Sequence, residues 1–395
     1  MAKDVFIVGG ARTPMTDYTG WLKDVSALEL GAIASRAAFE RTGVKPEWVD
    51  HAVFGNVLQT SSDAIYGARH VALKAGVPQE VPALTVNRLC GSGIQAAVSG
   101  AQLIQLGEAE IVLSGGMENM SQAPHVIRGL RSGLKLNQGK LEDYLYEALV
   151  DPYCGLFMAQ TAEKCAAKYG ISREDQDAYA LRSQQAASKA WAEGRFKDEI
   201  APVELKTRKG VTVVDRDDHL RPDTTLEGLA KLPPAFSKDG MVTAGNASGI
   251  VDGGAALILA SAAALKERSL TASARLVAWA AVGVDPSYMG MGPAPATRLA
   301  LDRAGLTLAQ IDLIEVNEAF AGQYLAVEKE LGLDRDKTNV NGGAIALGHP
   351  LGMTGTRLLL TLTHELRRRA RRYGLAAACI GGGQGIAAIV EQVAS

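Results

Sequence analysis

Four cysteines in 395 residues, at 90, 154, 165 and 379, are too few and too scattered for a disulfide framework, and a reducing compartment is the simpler expectation. Charge of neither sign dominates. With a formal net charge of −2 there is no positive field to gather phosphates, which argues against general nucleic-acid binding and requires a local cluster for any anionic ligand. No apolar run is long enough to cross a bilayer. No signal-like segment precedes Val5-Phe6-Ile7-Val8, which reads as a core strand entered straight from Met1-Ala2-Lys3-Asp4. These absences lead to the expectation of a cytoplasmic protein that touches neither membrane nor nucleic acid. The six histidines show no metal-ligand spacing with one another or with the cysteines, so no metal is expected. Two nucleotide motifs are also missing. Cys90-Gly91-Ser92-Gly93 lacks the third glycine of a dinucleotide loop, and no Gly-Lys-Ser/Thr follows it.

What is present is an ordinary globular composition, 47% hydrophobic and 21% charged, with 43 glycines that suit many tight strand-to-helix turns. The length suggests two or three domains. The chain also repeats itself. Ala38-Phe39-Glu40-Arg41-Thr42-Gly43-Val44 matches Ala300-Leu301-Asp302-Arg303-Ala304-Gly305-Leu306, and at the same offset of 262 Asp50 falls on Asp312. Each copy reads as a helix stopped by glycine, a short loop and a strand, Ala52 to Phe54 or Leu313 to Val316. Further on, Val86-Asn87 resembles Val340-Asn341, and Ile111 to Gly116 resembles Ala376 to Gly382. Strands alternating with helices predict mostly parallel sheets covered by helices. Duplicated halves would pack with equivalent loops facing each other, which brings Cys90 and His349 near a pseudo-twofold axis. Residues 121 to 247 have no repeat partner. They read as an inserted domain, with helices at Met158 to Tyr169 and Arg173 to Gly194 and polar loops from Pro222 to Gly245, that supplies substrate contacts and assembly surface. The organisation expected is therefore 1-120 plus 248-270, 121-247, and 271-395.

The chemistry lies in two distant segments. Asn87-Arg88-Leu89-Cys90-Gly91-Ser92-Gly93 puts a thiol on a glycine turn before an amphipathic run from Ile94 to Leu106. A cysteine at a helix start has its thiolate stabilised by the dipole and free N–H groups. Gly348-His349-Pro350 and Cys379-Ile380-Gly381-Gly382-Gly383-Gln384-Gly385 supply a proton acceptor and a second thiol. Two cysteines and a histidine together point to acyl transfer through a thioester.

These segments resemble the signatures of the thiolase family. Gly115-Gly116-Met117-Glu118-Asn119-Met120-Ser121, Gly245-Asn246-Ala247-Ser248-Gly249 and Asn317-Glu318-Ala319-Phe320 match as well, so that six motifs fall in order over essentially the whole chain. The C-terminal third is particularly similar to 3-ketoacyl-CoA thiolases of mitochondrial type and their bacterial relatives. The resemblance implies an α/β thiolase fold, two duplicated βαβ halves forming a five-layered αβαβα core with an inserted loop domain. It implies reversible, CoA-dependent cleavage of 3-ketoacyl-CoA, or the reverse Claisen condensation, with no cofactor beyond coenzyme A as substrate. Cys90 would carry the acyl group, His349 would take its proton, and Cys379 would protonate or generate the acetyl-CoA carbanion. Asn317 would hold a water in one oxyanion hole beside His349, and the N–H groups of Cys90 and Gly381 would form the other. Contacts to CoA would come from Arg221, Phe236, Ala244, Ser248, Met289, Ala319 and Phe320, with Arg208-Lys209 near the nucleotide phosphates. The family forms dimers and tetramers, and the segment Met120 to Gly139 resembles its assembly loop.

There is one departure. Phe157-Met158 stands where acetoacetyl-CoA thiolases carry His-Met, a pair that touches the thioester oxygen and pantetheine. A short- to medium-chain range follows as the expectation, with Met158 still lining the site. Two rivals share the architecture: a 3-ketoacyl carrier-protein synthase, against which Cys379 argues, and an inactive CoA- or lipid-binding scaffold, against which all four intact chemical positions argue. Cys154 and Cys165 read as packing residues, and Arg367 to Arg372 as a solvated helix end.

Overall fold

A computed structural model describes residues 3–208 and 210–393. Nine strands carry the core: β1 (Val5–Arg12), β2 (His51–Gly55), β3 (Ala83–Val86), β4 (Ile111–Glu118), β5 (Val251–Ser261), β6 (Ala274–Gly283), β7 (Leu313–Val316), β8 (Tyr373–Ile380) and β9 (Gln384–Gln392). Eight main helices cover them: α1 (Ala27–Thr42), α2 (Gly67–Lys74), α3 (Ser92–Leu106), α4 (Met158–Tyr169), α5 (Arg173–Ala192), α6 (Pro293–Ala304), α7 (Ala321–Leu331) and α8 (Leu351–Arg368).

The duplication is explicit in the sheet. One half runs β1-β5-β4-β2-β3 and the other β6-β9-β8-β7, continued by a parallel bridge from Ile314 to Thr338. Pair by pair the directions agree: β1–β5 and β6–β9 are antiparallel, β5–β4 and β9–β8 antiparallel, β4–β2 and β8–β7 parallel. β1 and β6 join the halves antiparallel over Val5–Ile7 and Ala274–Leu276. The expectation of mostly parallel sheets is thereby corrected to a mixed sheet. Crossover helices make β2, β3 and β4 parallel, but β5 returns from the insert and β9 from a tight turn after β8, and both of these long strands run the other way.

Helices α3 and α8 lie between the halves, and one apolar cluster joins Ile94, Ala97 and Ile104 of α3, Leu358, Leu359 and Leu362 of α8, and strands of both halves. α1 and α2 cover the outer face of the first half, α6 and α7 that of the second, giving five layers. Small residues permit the central crossing. A Cβ on Gly93 would lie 2.3 Å from Thr356 N, and one on Gly355 2.3 Å from Ile94 N. These glycines are again 262 apart, so the repeat offset coincides with a backbone-to-backbone contact on the axis.

The segment without a repeat partner forms three small hairpins and α4 and α5, which pack against α7. It is tied to β1 by the fully buried Arg12, whose guanidinium binds Glu199 (2.9 Å) and Asp217 (2.7 and 3.0 Å). The arginine run behaves as a helix end: Arg368 and Arg369 pair with Glu365, and Arg372 with Glu391.

Candidate active site

Cys90 sits on a turn that the sequence builds locally. Asn87 Oδ1 accepts from Leu89 N (2.9 Å), Ser92 Oγ accepts from Arg88 N (2.9 Å) and donates to Leu89 O (2.7 Å), and Leu89 takes φ +45°. A bulky side chain is uncommon in the left-handed region, and the hydrogen-bonded turn that holds Leu89 there sets Cys90 just ahead of α3. The thiol is half-buried and its sulfur receives the backbone N–H groups of Gly381 and of Cys90 itself. Those donors do not win. Burial, the largest cause, pushes the thiol up to about 11 against those two donors.

His349 is buried beside α8. Thr354 Oγ1 donates to Pro350 O (2.9 Å), so its contact with His349 Nδ1 (2.6 Å) must be a bond it accepts. That places the ring proton on Nδ1 and makes Nε2 the unprotonated nitrogen, whose lone pair accepts from Asn317 Nδ2 (3.2 Å). Burial, with the Arg357 charge as second cause, lowers the imidazole to about 3, so the ring is neutral. Asn317 Oδ1 is buried with no partner, a free acceptor at the same place.

Cys379 ends β8 and is fully buried; burial first, then the neighbouring Cys90 and Cys165, raise its thiol well above the usual range. It clusters with Met289 and Ala319, against which Met158 and Phe320 pack. A Cβ on Gly381 would touch Met158 Sδ and Leu89 Cδ1 at 3.3 Å, so the Cys90 turn, the strand-end glycines and the start of α4 converge. Ser248 N donates to Ala319 O (3.0 Å). Phe157 stacks on Phe236 at 4.9 Å and lies 5.3 Å from Tyr146, forming an aromatic wall.

Two expected CoA contacts lie at the surface. Ala244 is exposed. Arg221 folds back on its own loop, donating to the carbonyls of Asp218, His219 and Leu220 and pairing with Asp17 at 2.7 Å. Arg208 is exposed on a hairpin and Lys209 lies outside the described residues. A surface groove of about 1350 Å³ between Trp21, Arg36 and Leu205 shares no residue with the cluster.

Sequence reasoning overlooked Thr354 and the Gly249 carbonyl that accepts His349 N (2.9 Å). It also quoted Glu118 and Glu318 inside motifs without giving either a role. An acid at the end of an otherwise apolar strand was the available signal for Glu118.

The models of two families, "Thiolase, N-terminal domain" and "Thiolase, C-terminal domain", match residues 5–263 and 270–392. Human mitochondrial 3-ketoacyl-CoA thiolase is 56% identical over the full length of both chains. An acetyl-CoA acetyltransferase of Pseudomonas aeruginosa is 51% identical, with 98% of each chain covered. A crystal structure of the human mitochondrial enzyme in complex with CoA superposes with a TM-score of 0.97 at 55% identity, covering all of both chains. These relatives overturn the cytoplasmic placement expected from the sequence, since several are named mitochondrial. That expectation rested partly on Met1-Ala2, which lie outside the described residues, and the organisation of the core does not report the compartment.

Proposed function

The chain belongs to the thiolase family, and from that premise we propose how its residues divide the reaction. The enzyme is an acyltransferase that cleaves 3-ketoacyl-CoA with CoA, or condenses two acyl-CoA molecules in reverse. Cys90 attacks the 3-keto carbonyl while His349 Nε2 takes the thiol proton. The C2–C3 bond breaks, Cys379 gives its proton to the acetyl-CoA carbanion, and the shortened acyl group stays on Cys90. CoA then attacks that thioester, its thiol proton passes to Cys379, and His349 returns its own proton to the departing Cys90. What supports this reading is a buried histidine whose unprotonated Nε2 faces Asn317, while Ala319, two residues on, packs with Cys379 and Gly381 beyond it donates to the Cys90 sulfur.

Charge develops on a carbonyl oxygen at each step, and aimed donors in a dry site are worth roughly 2.7–4 kcal/mol apiece. The N–H groups of Cys90 and Gly381 serve as one such pair. His349 serves as the second with a water on Asn317, whose Oδ1 has no protein partner. Met158, Phe236, Ser248, Met289, Ala319 and Phe320 line the CoA path, and Arg221 and Ala244 border it at the surface. Coenzyme A enters as substrate and no other cofactor takes part. The division at 1-120 with 248-270, 121-247 and 271-395 accords with this, because the middle segment brings Met158 to Met289, Ala319 and Cys379 of the second half and binds Arg12 of the first through Glu199 and Asp217.

The Phe157–Phe236–Tyr146 wall favours short- to medium-chain 3-ketoacyl substrates over strict acetoacetyl specificity, in keeping with a part in fatty-acid β-oxidation. CoA-dependent thiolysis of a 3-ketoacyl-CoA series, with Cys90→Ala as blank, tests the assignment. Turnover extending beyond acetoacetyl-CoA is the expected result. Activity on acetoacetyl-CoA alone removes the chain-length reading, and no turnover on any member removes the site assignment.

A homo-oligomer completes the reading. Among the described residues β3 is unpaired on one side, its Leu84 is 48% exposed, and Ile65 and Tyr66 next to it are 67% and 56% exposed. Such an apolar edge is a pairing site for a second copy. The hairpin around Leu130, Leu134 and Leu136, also exposed, is the surface through which dimers would associate further.

A further inference from the structure

His349 lies between the short helix Ala344–Leu347 and α8, in a segment with no regular structure of its own. A buried carboxylate holds the chain on each side of it. Glu118, at the end of β4, accepts four hydrogen bonds: Oε1 from Asn56 Nδ2 (3.0 Å) and Leu58 N (2.9 Å), Oε2 from Val57 N (3.1 Å) and Gly352 N (2.8 Å). Glu318, beyond β7, also accepts four: Oε1 from Tyr179 OH (2.7 Å) and Asn339 Nδ2 (3.0 Å), Oε2 from Ser183 Oγ (2.7 Å) and Ile345 N (3.2 Å). Both side chains are fully buried, and among the described residues neither forms an ion pair. A buried carboxyl group without a cation needs its lone pairs filled by donors; each of these has them filled, and burial still pushes Glu118 up to about 7.

We propose that Glu118 and Glu318 are positioning residues for His349, clamping its segment at Gly352 and Ile345 so that Nε2 is presented to the nucleophile, a role that rests on the reading of His349 as the base. The two acids reach the site by different routes. Glu318 follows Asn317, whose amide meets Nε2. Glu118 also fixes Val57, whose carbonyl accepts from Asn87 Nδ2 (3.3 Å), and Asn87 in turn binds Leu89 N next to Cys90. Base and nucleophile are thus referred to one carboxylate. The halves have diverged to build this: Glu318 aligns at the repeat offset with Asn56, the amide that donates to Glu118.

Alkylation of Cys90 by iodoacetamide tests the clamp without any thiolase substrate. Glu118→Gln and Glu318→Gln each turn acceptor capacity into a donor, and a base displaced by about 1 Å costs about 10²-fold. We expect alkylation near neutral pH to slow by roughly 10- to 100-fold in both variants and in His349→Ala, and kcat to fall in parallel, while KM changes by less than about threefold. Phe39→Leu, in the remote core of α1, serves as the control of comparable melting temperature and should alkylate like wild type. Where a glutamine variant does not fold, Glu118→Asp or Glu318→Asp replaces it, keeping the charge but drawing the oxygens back by about 1.5 Å. Folded Gln or Asp variants that alkylate at the wild-type rate overturn the clamp. A control that slows equally also overturns it, by showing that any loss of stability has the same effect. His349→Ala alkylating at the wild-type rate overturns instead the assignment of His349 as base.

Discussion

At the scale of single residues, the site separates proton donors from acceptors by burial. Cys90 and His349 are both pushed towards their neutral forms, to about 11 and about 3, so the resting pair is thiol and imidazole. Proton transfer therefore accompanies attack of the sulfur on an electrophile and does not precede it. Thr354 decides which ring nitrogen is free. Thr354→Val keeps the shape but orphans Nδ1–H, and kcat should fall by about 10- to 100-fold, part of the range typical of an acid–base group, with Thr354→Ser restoring most of it. The low His349 value also has a stability consequence. Between the unfolded value of 6.5 and the folded value of about 3, the unfolded chain binds the extra proton, so stability falls as pH drops through that window. His349→Asn removes this term. Denaturant titrations should show the variant gaining on wild type below pH 6.5 by up to about 1.4 kcal/mol per pH unit; a difference constant with pH would show that His349 is not held neutral.

Among elements, the crossing of α3 and α8 sets the distance between the two catalytic loops, because Cys90 precedes one helix and His349 the other. Gly93 and Gly355 let those backbones touch. Gly93→Val has no flexible neighbour to displace, since Thr356 N is backbone, and it should cost more than about 3 kcal/mol or abolish soluble protein. A variant that melts near the wild-type temperature would mean that the helices separate without loss. The mixed sheet serves the same end: parallel β2 and β4, and parallel β7 and β8, send the chain towards the site at corresponding strand ends in each half.

For the whole molecule, the exposed edge at β3 is the feature a monomer explains least. Leu84→Lys puts a charge on that edge, and sedimentation should show a smaller species than wild type with the fold intact by circular dichroism. An unchanged assembly would move the interface elsewhere. The segment from 121 to 247 belongs to this scale too. It shares an apolar core with the second half through α4, α5 and α7, yet its Arg12 tether is anchored in β1 of the first.

Sequence alone determined the repeat, most strand and helix positions and the thiolase chemistry, and it supplied the residues proposed to carry that chemistry. Those signals are local: glycine turns, hydrophobic periodicity and motifs of a few residues survive without knowledge of what packs against them. Three matters were decided only in the folded chain. Strand direction was one, since β5 and β9 are placed by what precedes them and not by their own residues. Proton state was another, because desolvation of Cys90 depends on the atoms that close over it, which no local motif names. The last was the set of supporting groups. Thr354 finds His349 across one turn of chain, Glu118 finds Gly352 across 234 residues, and no spacing rule connects an acid in one half to the backbone of the other until the halves are packed together.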